Sequence, residues 1–143
     1  MHSVSKRKKT ILLLDDEATE RKKACEILHG ENCTVLEAEC CEGALTLFEA
    51  NRDRIDLLVA DIALPDGNGC ELAVTLRQRK PELRVLFVSG HVGAEVCRFY
   101  GLDVTDDHFL KKPFGPAELV ERVERVLNAP ATFPALIPKT RTA

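Results

Sequence analysis

The chain has few aromatic residues, little net charge and no long apolar run. It contains no tryptophan and one tyrosine in 143 residues, while hydrophobic residues make up 45%, so we expect an aliphatic core. No apolar run approaches the roughly 18 residues of a membrane-spanning helix, and the first one breaks at Asp15, too early for a signal-peptide core. The sequence therefore predicts one compact cytoplasmic domain and argues against general disorder.

The charges are nearly balanced, with 20 Lys and Arg against 23 Asp and Glu. A net charge of −3 does not favour nucleic acid or an anionic membrane as the main partner. The basic run Lys6–Lys9 is interpreted as a solvated N-terminal arm, residues 1–9. Residues 129–143 contain three prolines and no long periodic pattern, and they are interpreted as a tail or linker.

None of the six cysteines forms a C-x-x-C pair. The spacing predicts neither a zinc site nor a disulfide framework. We expect buried or half-buried thiols at all six positions, which are Cys25, Cys33, Cys40, Cys41, Cys70 and Cys97.

Five short aliphatic runs alternate with segments of helical spacing between residues 10 and 128, which defines the predicted domain. The predicted strands are Thr10–Leu14, Cys33–Ala38, Asp56–Ala60, Arg84–Val88 and Asp107–Leu110. The predicted helices are Glu17–His29, Cys41–Ala50, Cys70–Arg79, Gly93–Phe99 and Pro116–Leu127. Continuous aliphatic strands are typical of a parallel sheet covered on both faces. The sequence thus predicts a doubly wound α/β fold.

Ligands of such a sheet bind beyond the carboxyl ends of its strands. The residues at those ends are chemically distinctive: Asp15 and Asp16, then Asp61, then Ser89, then Lys111 and Lys112. Two carboxylates about 4 Å apart repel by about 4 kcal/mol at an effective dielectric near 20, so a cation is expected among the aspartates. Oxygen ligands without soft ligands favour Mg²⁺.

A carboxylate beside a metal ion can also act as a nucleophile toward a phosphoryl group. Asp61 is the best placed of the three aspartates for this role. Mg²⁺, the Lys112 ammonium and the Ser89 hydroxyl would then each stabilise one phosphoryl oxygen.

Four ordered motifs resemble the receiver domain of two-component response regulators, a CheY-like family that includes the receivers of hybrid histidine kinases. The motifs are Leu13–Glu17, Asp56–Gly69, Val88–Gly90 and Phe109–Phe114, and the likeness runs from about Thr10 to Asn128. The resemblance implies a five-stranded parallel sheet of order 2-1-3-4-5.

The resemblance also implies individual roles. Asp61 would be the phosphoacceptor, Asp16 would bind Mg²⁺ directly, Asp15 would assist through water, and Ala63 would supply its backbone carbonyl. The lysine before Pro-Phe would bind phosphate, which selects Lys112 over Lys111, and the peptide bond from Lys112 to Pro113 would be cis.

The family's switch would involve Ser89 and an aromatic residue three positions before the lysine, here Phe109. Phe109 has no hydroxyl, so only packing can couple it to Ser89. Ala63 and His91 occupy positions that tune phosphoryl lifetime in the family. The output surface would be the fourth helix, fifth strand and fifth helix, of which the fourth helix is expected to be short.

These features predict a signalling receiver that accepts phosphoryl from a histidine kinase or phosphotransfer protein and then dephosphorylates itself, with no other catalysis. We expect a monomer or a phosphorylation-dependent dimer. Two alternatives stay open. Asp15–Thr19 is distantly similar to the nucleophile motif of haloacid-dehalogenase-like phosphatases, with Asp15 as nucleophile, and the domain could also be a binding module that does not depend on phosphorylation. Flavin binding is disfavoured because acids follow the first strand.

Overall fold

A five-stranded parallel sheet forms the centre of the computed structural model, which describes residues 8–90, 93–130 and 134–136. The strands are β1 Lys9–Leu14, β2 Cys33–Ala38, β3 Ile55–Asp61, β4 Arg84–Ser89 and β5 Phe109–Lys111. The helices are α1 Ala18–Gly30, α2 Cys41–Asn51, α3 Gly69–Arg79, α4 Gly93–Phe99 and α5 Pro116–Asn128. The strand order is β2-β1-β3-β4-β5, which confirms the predicted fold class.

The sheet separates two apolar cores, because successive side chains of a strand point to opposite faces. Helices α1 and α5 cover one face, and their buried residues include Ala24, Leu28, Leu119 and Val123. Helices α2, α3 and α4 cover the other face, with buried residues that include Phe48, Ala73, Leu76 and Cys97. All five strands are therefore held in a covered, doubly wound arrangement.

The register of the ladders aligns the carboxyl ends of the central strands. Leu14 pairs with Ala60, so the next residues of β1 and β3 are neighbours at the same edge of the sheet. Asp61 pairs with Val88 in β4, and Ser89 pairs with Lys111 in β5. The polar residues that end or follow these strands are brought to this edge.

The start of the last strand differs from the sequence prediction. A 3-10 turn spans Asp106–His108, and the amide of His108 donates to the carbonyl of Thr105 at 2.9 Å. Strand β5 therefore begins at Phe109 and not at Asp107. Helix α4 ends at Phe99 and is short, as expected, and Gly101 follows it with a φ of 89°.

Two short antiparallel pairs supplement the main sheet. Ala63–Leu64 pairs with Gly67–Asn68 in the loop between β3 and α3. Leu102–Asp103 pairs with Ala135–Leu136, so part of the C-terminal segment lies against the chain that follows α4. The guanidinium of Arg84 donates to the carbonyl of Ala129 at 2.9 Å.

The expectation of unpaired thiols at all six positions is wrong. Cys70 of α3 and Cys97 of α4 are paired in a disulfide, 27 residues apart in sequence, while Cys25, Cys33, Cys40 and Cys41 are free. No spacing motif marks this pair, because the packing of α3 against α4 brings the two residues together.

Within the described residues no helix is long and apolar enough to cross a bilayer. His91 and residues 1–7 of the basic arm lie outside the described residues, as do 131–133 and 137–143 of the tail.

Candidate functional site

Asp15 and Asp61 are the buried carboxylates at the carboxyl edge of the sheet. Asp15 directly follows β1 and is 4% exposed, and Asp61 ends β3 and is 9% exposed. The amide of Glu17 donates to Asp15 Oδ1 at 2.9 Å, and the amide of Ala63 donates to Asp61 Oδ1 at 3.3 Å. One oxygen of each carboxylate is thus held by the loop that follows its own strand.

The other oxygens of both carboxylates accept from one ammonium group. Lys112 Nζ lies 3.0 Å from Asp15 Oδ2 and 3.0 Å from Asp61 Oδ2, and it lies 2.8 Å from Glu20 Oε1 on α1. The Lys112–Pro113 peptide bond is cis, as the resemblance implies. The side chain of Lys111 is exposed, so of the two adjacent lysines it is Lys112 that contacts the carboxylates.

Burial and the ammonium act in opposite directions on this cluster. Burial raises the pKa of the Asp15 carboxyl, and the hydrogen bonds from the Glu17 amide and from Lys112 oppose this only in part. Burial alone would lower the pKa of Lys112, but its hydrogen bonds to Glu20, Asp15 and Asp61 raise it above its ordinary value. Lys112 is therefore a cation at neutral pH, whereas the charged form of Asp15 is less favoured in the folded protein than in water.

Asp16 completes a group of three carboxylates. One carboxylate oxygen from each of Asp15, Asp16 and Asp61 lies within 4.8 Å of the others, and Asp16 is the exposed member. Three carboxylates provide hard oxygen donors, and such donors suit a hard divalent cation. The exposed position of Asp16 leaves a side open to solvent, from which waters could complete the coordination.

Ser89 and Phe109 lie on the β4 and β5 side of this cluster. Ser89 ends β4 and is 2% exposed, and its carbonyl accepts from the amide of Lys112 at 2.9 Å. Phe109 is half-buried and packs against the core formed with α2, α3 and α4, and it pairs with Phe87 across the ladder. The carbonyl of Phe109 also accepts from Arg122 of α5. Ser89 is thus joined to Lys112 through the backbone, and Phe109 to α5.

The loop after Asp61 is held by side chains that cap two helices. Asp66 accepts from the amides of Cys41 and Glu42 at the start of α2, at 2.8 and 3.0 Å, and these bonds lower the pKa of Asp66. Asn68 Oδ1 accepts from the amide of Glu71 at 2.8 Å and caps α3. The loop that carries Ala63 is therefore fixed at both α2 and α3.

Gly69 lies directly against the backbone of Asp61. A Cβ built on Gly69 would overlap the carbonyl oxygen of Asp61, so any larger residue would displace one of the two. The close approach sets the distance between the end of β3 and the first turn of α3.

The structure brings Asp15, Asp16, Asp61 and Lys112 together, and it places Ala63 in the loop after Asp61 and Ser89 and Phe109 on the two neighbouring strands. Two further residues support this arrangement. Glu20 is the third partner of Lys112, and its position in the first turn of α1 was the only available signal. The sequence places Asp66 in a turn and does not mark it as a cap of α2. Glu17 does not join the carboxylate group, because its side chain accepts from the amides of Thr19 and Glu20 and caps α1.

The comparisons with known proteins agree with this architecture. A family model described as the response regulator receiver domain matches residues 11–124. The chain therefore belongs to the response regulator receiver domain family, the phosphoacceptor signalling modules of two-component systems. Receivers of this family pair with histidine kinases and downstream effectors, and they typically use a metal ion.

Individual relatives include both regulators and receivers of kinases. The transcriptional regulatory protein CpxR of Escherichia coli (strain K12) is 36% identical over 118 residues, which cover 82% of this chain and 49% of that protein. The receiver domain from the hybrid histidine kinase CckA aligns with a TM-score of 0.69 at 34% identity, covering 83% of this chain and 99% of that chain. The non-phosphorylated HemR receiver domain from Leptospira biflexa aligns with a TM-score of 0.74 at 33% identity, covering 90% and 99%.

The chain spans about half the length of the first curated relatives that it matches. The similarity to those longer proteins therefore concerns their receiver domains and does not extend to their full-length activities. The phosphatase alternative with Asp15 as nucleophile is not favoured by any of these similarities, nor is a binding module independent of phosphorylation.

Proposed function

We propose that the chain accepts a phosphoryl group on Asp61 from the phosphohistidine of a kinase or phosphotransfer protein and later hydrolyses it. The observation that carries the proposal is the position of Lys112 Nζ, 3.0 Å from the carboxylates of both Asp15 and Asp61. One cation thereby links the proposed nucleophile to the proposed metal ligands.

In the transfer step a carboxylate oxygen of Asp61 attacks phosphorus while the phosphorus–nitrogen bond of the donor breaks. The imidazole nitrogen keeps the electron pair. Lys112 and the hydroxyl of Ser89 are the groups of this chain that would stabilise two of the three phosphoryl oxygens. In the second step water attacks phosphorus, Asp61 regains its carboxylate, and inorganic phosphate leaves.

Mg²⁺ is the proposed metal, with Asp15, Asp16, Asp61 and the backbone carbonyl of Ala63 as the protein groups that would hold it. When bound, it would neutralise charge on the third phosphoryl oxygen. Asp16 is the exposed member of the group and lies on its solvent side, which supports direct binding of the ion by Asp16. Asp15 is given the assisting role, through water, that the family resemblance implies.

The decisive experiment is labelling with acetyl phosphate and Mg²⁺, followed by intact mass. We expect Asp61→Asn to abolish the phosphorylated species, because an amide is a poor nucleophile toward phosphorus. Asp53→Asn, in the exposed turn between α2 and β3, is the matched control and should label like the unmodified chain. Undiminished labelling of Asp61→Asn would refute the assignment.

The same proteins test the phosphatase alternative. Steady turnover of a small phosphomonoester that is lost in Asp15→Asn but kept in Asp61→Asn would replace our proposal. We propose in contrast that the chain catalyses only its own phosphorylation and dephosphorylation.

We propose that phosphorylation is read out at the face formed by α4, β5 and α5. Support comes from the chain of contacts that joins the Lys112 amide to Ser89 and the Phe109 carbonyl to Arg122 of α5. Partners at this face, a cytoplasmic location and a monomer or phosphorylation-dependent dimer belong to the same proposal. Size-exclusion chromatography with light scattering, with and without beryllofluoride and Mg²⁺, tests the oligomeric state. A dimer that persists without either additive would contradict it.

A further inference from the structure

The disulfide between Cys70 and Cys97 joins the two helices that follow the proposed site residues. Its Cα atoms are 5.2 Å apart, within the ordinary range for a disulfide, and both residues are fully buried in the core beneath α2, α3 and α4. The fold therefore holds the two sulfurs as neighbours without a backbone rearrangement.

Each end of this link is tied to the phosphorylation site through the chain. Cys70 is the residue after Gly69, which lies against the Asp61 carbonyl. Cys97 is in α4, the helix that begins four residues after Ser89. A covalent bond here fixes the position of α4 relative to the first turn of α3, and hence relative to Asp61.

We propose that Cys70 and Cys97 form a reversible redox modification site whose oxidised form restrains the movement of α4 on phosphorylation. The restraint rests on the proposed function, whereas the modification site does not. Cytosolic disulfides are usually transient or redox-sensing, so a pair in a cytoplasmic receiver is expected to cycle.

A peroxide oxidant balances the reaction. One thiolate attacks a peroxide oxygen, which gives a sulfenic acid and, with a proton, water. The second thiolate then displaces hydroxide from the sulfenic sulfur, forming the sulfur–sulfur bond and, with a second proton, another water. A dithiol reductant reverses the link, because it becomes a disulfide as the two cysteines regain their protons.

Reagents reach these buried sulfurs when α4 opens locally. Helix α4 has seven residues, which is too short to be stable without packing, and its last residue, Phe99, and the following Tyr100 have exposed side chains. Opening of this helix exposes Cys97 without unfolding the sheet. The rate of oxidation is therefore expected to follow the opening of α4.

Three of the four free cysteines, Cys25, Cys33 and Cys41, are poor competitors for the same oxidant. Burial and the neighbouring Glu37 raise the pKa of the Cys25 thiol to about 11, and burial with the nearby Asp66 raises that of Cys41 to about 12. Burial also raises the pKa of Cys33. Little reactive thiolate is present at these positions at neutral pH.

Peptide mapping by mass spectrometry tests the site. The full chain is reduced with dithiothreitol, freed of reductant and exposed to hydrogen peroxide. We expect the loss of two hydrogen atoms and a single Cys70–Cys97 cross-link that dithiothreitol reverses. Cys97→Ala should lose this cross-link, and the control Cys25→Ala should keep it. If Cys97→Ala fails to fold, the peptide map of the unmodified chain is sufficient to test the proposal. Cys70 and Cys97 thiols that stay unlinked, or that pair with other cysteines, would overturn the proposed modification site.

Amide NMR with beryllofluoride and Mg²⁺ tests the restraint on the oxidised and reduced chain. We expect amides near Asp61 to shift in both forms and amides of α4 to shift only in the reduced form. Equal α4 shifts in the two forms would overturn the restraint. No shift near Asp61 in either form would instead contradict the proposed function and remove the restraint with it, while the mapped cross-link would stand.

Discussion

Lys112 is the residue on which the charge balance of the site depends, since its ammonium contacts three carboxylates. Removing it in Lys112→Ala takes away one charge-assisted hydrogen bond to the phosphoryl group, about 1.5–3 kcal/mol, and should slow labelling of Asp61 by acetyl phosphate about 10- to 150-fold. The control Lys111→Ala changes an exposed lysine and should label at the normal rate. Equal rates for the two variants would be inconsistent with the role of Lys112.

Asp15 gives a pH-dependent prediction for the metal-free protein. Because the pKa of Asp15 is raised in the folded state, protonation favours folding: its contribution is fully present below the ordinary value of 3.8 and is lost as the pH rises through the raised pKa. In a chelator, Asp15→Asn should therefore be more stable than the unmodified chain at neutral pH, and the advantage should shrink on acidification.

Urea unfolding at several pH values measures this difference, with the exposed Asp53→Asn as the control that should show none. Adding Mg²⁺ should stabilise the unmodified chain more than Asp15→Asn, since only the former keeps all three carboxylates of the group. A pH-independent difference would show that the charge on Asp15 is not the cause.

Most of the carboxylate and lysine cluster is predictable from the sequence. Asp15, Asp16, Asp61 and Lys112 follow or end aliphatic strands, and parallel strands bring such positions together whatever the loop conformations are. The role of Glu20 and the Cys70–Cys97 disulfide are not predictable from the sequence. The first depends on how α1 lies against the sheet edge, and the second on how α3 packs against α4. Site residues that do not lie at the end of a strand can be identified only when the tertiary packing is known.

At the scale of elements, the contact between α3 and β3 is the most sensitive to added volume. Gly69→Ala introduces a Cβ that overlaps the Asp61 carbonyl oxygen, and we expect a loss of about 1–3 kcal/mol in the free energy of unfolding. Gly30→Ala is the matched control, because Gly30 is helical with nothing within 4 Å of a built Cβ, and it should gain about 0.4–1 kcal/mol. Urea unfolding of both variants is the measurement, and equal stabilities would argue against the overlap.

The elements themselves were predictable where their patterns were long or their ends chemically marked. Strand β2 and helix α4 have the predicted bounds, and α5 extends the prediction only by Asn128. The start of β5 was not predictable, since Asp107–Leu110 is too short to distinguish a strand from a turn, and the turn at His108 takes the first two residues. Two-residue pairs such as Ala63–Leu64 with Gly67–Asn68 carry no periodic signal at all.

At the scale of the whole molecule, part of the segment after α5 pairs with the chain that follows α4. A chain ending at Asn128 would lose the pairing of Leu102–Asp103 and the bond from Arg84 to Ala129, which should cost about 1–3 kcal/mol of unfolding free energy. Hydrogen exchange should speed up at the amides of Leu102 and Asp103 and stay unchanged in β1 and β3. Unchanged protection at Leu102 would mean that the pairing contributes nothing in solution.

The pairing of Ala135–Leu136 with Leu102–Asp103 also determines where a protein fused after this segment would be located. A reporter protein fused directly after Leu136 would emerge beside the exit of α4 instead of at the tip of α5. Displacement of the chain at Leu102 would then pull on the fusion junction itself. The described C-terminal pair thus offers a place where a conformational change in the receiver could be converted into a fluorescence or enzymatic signal.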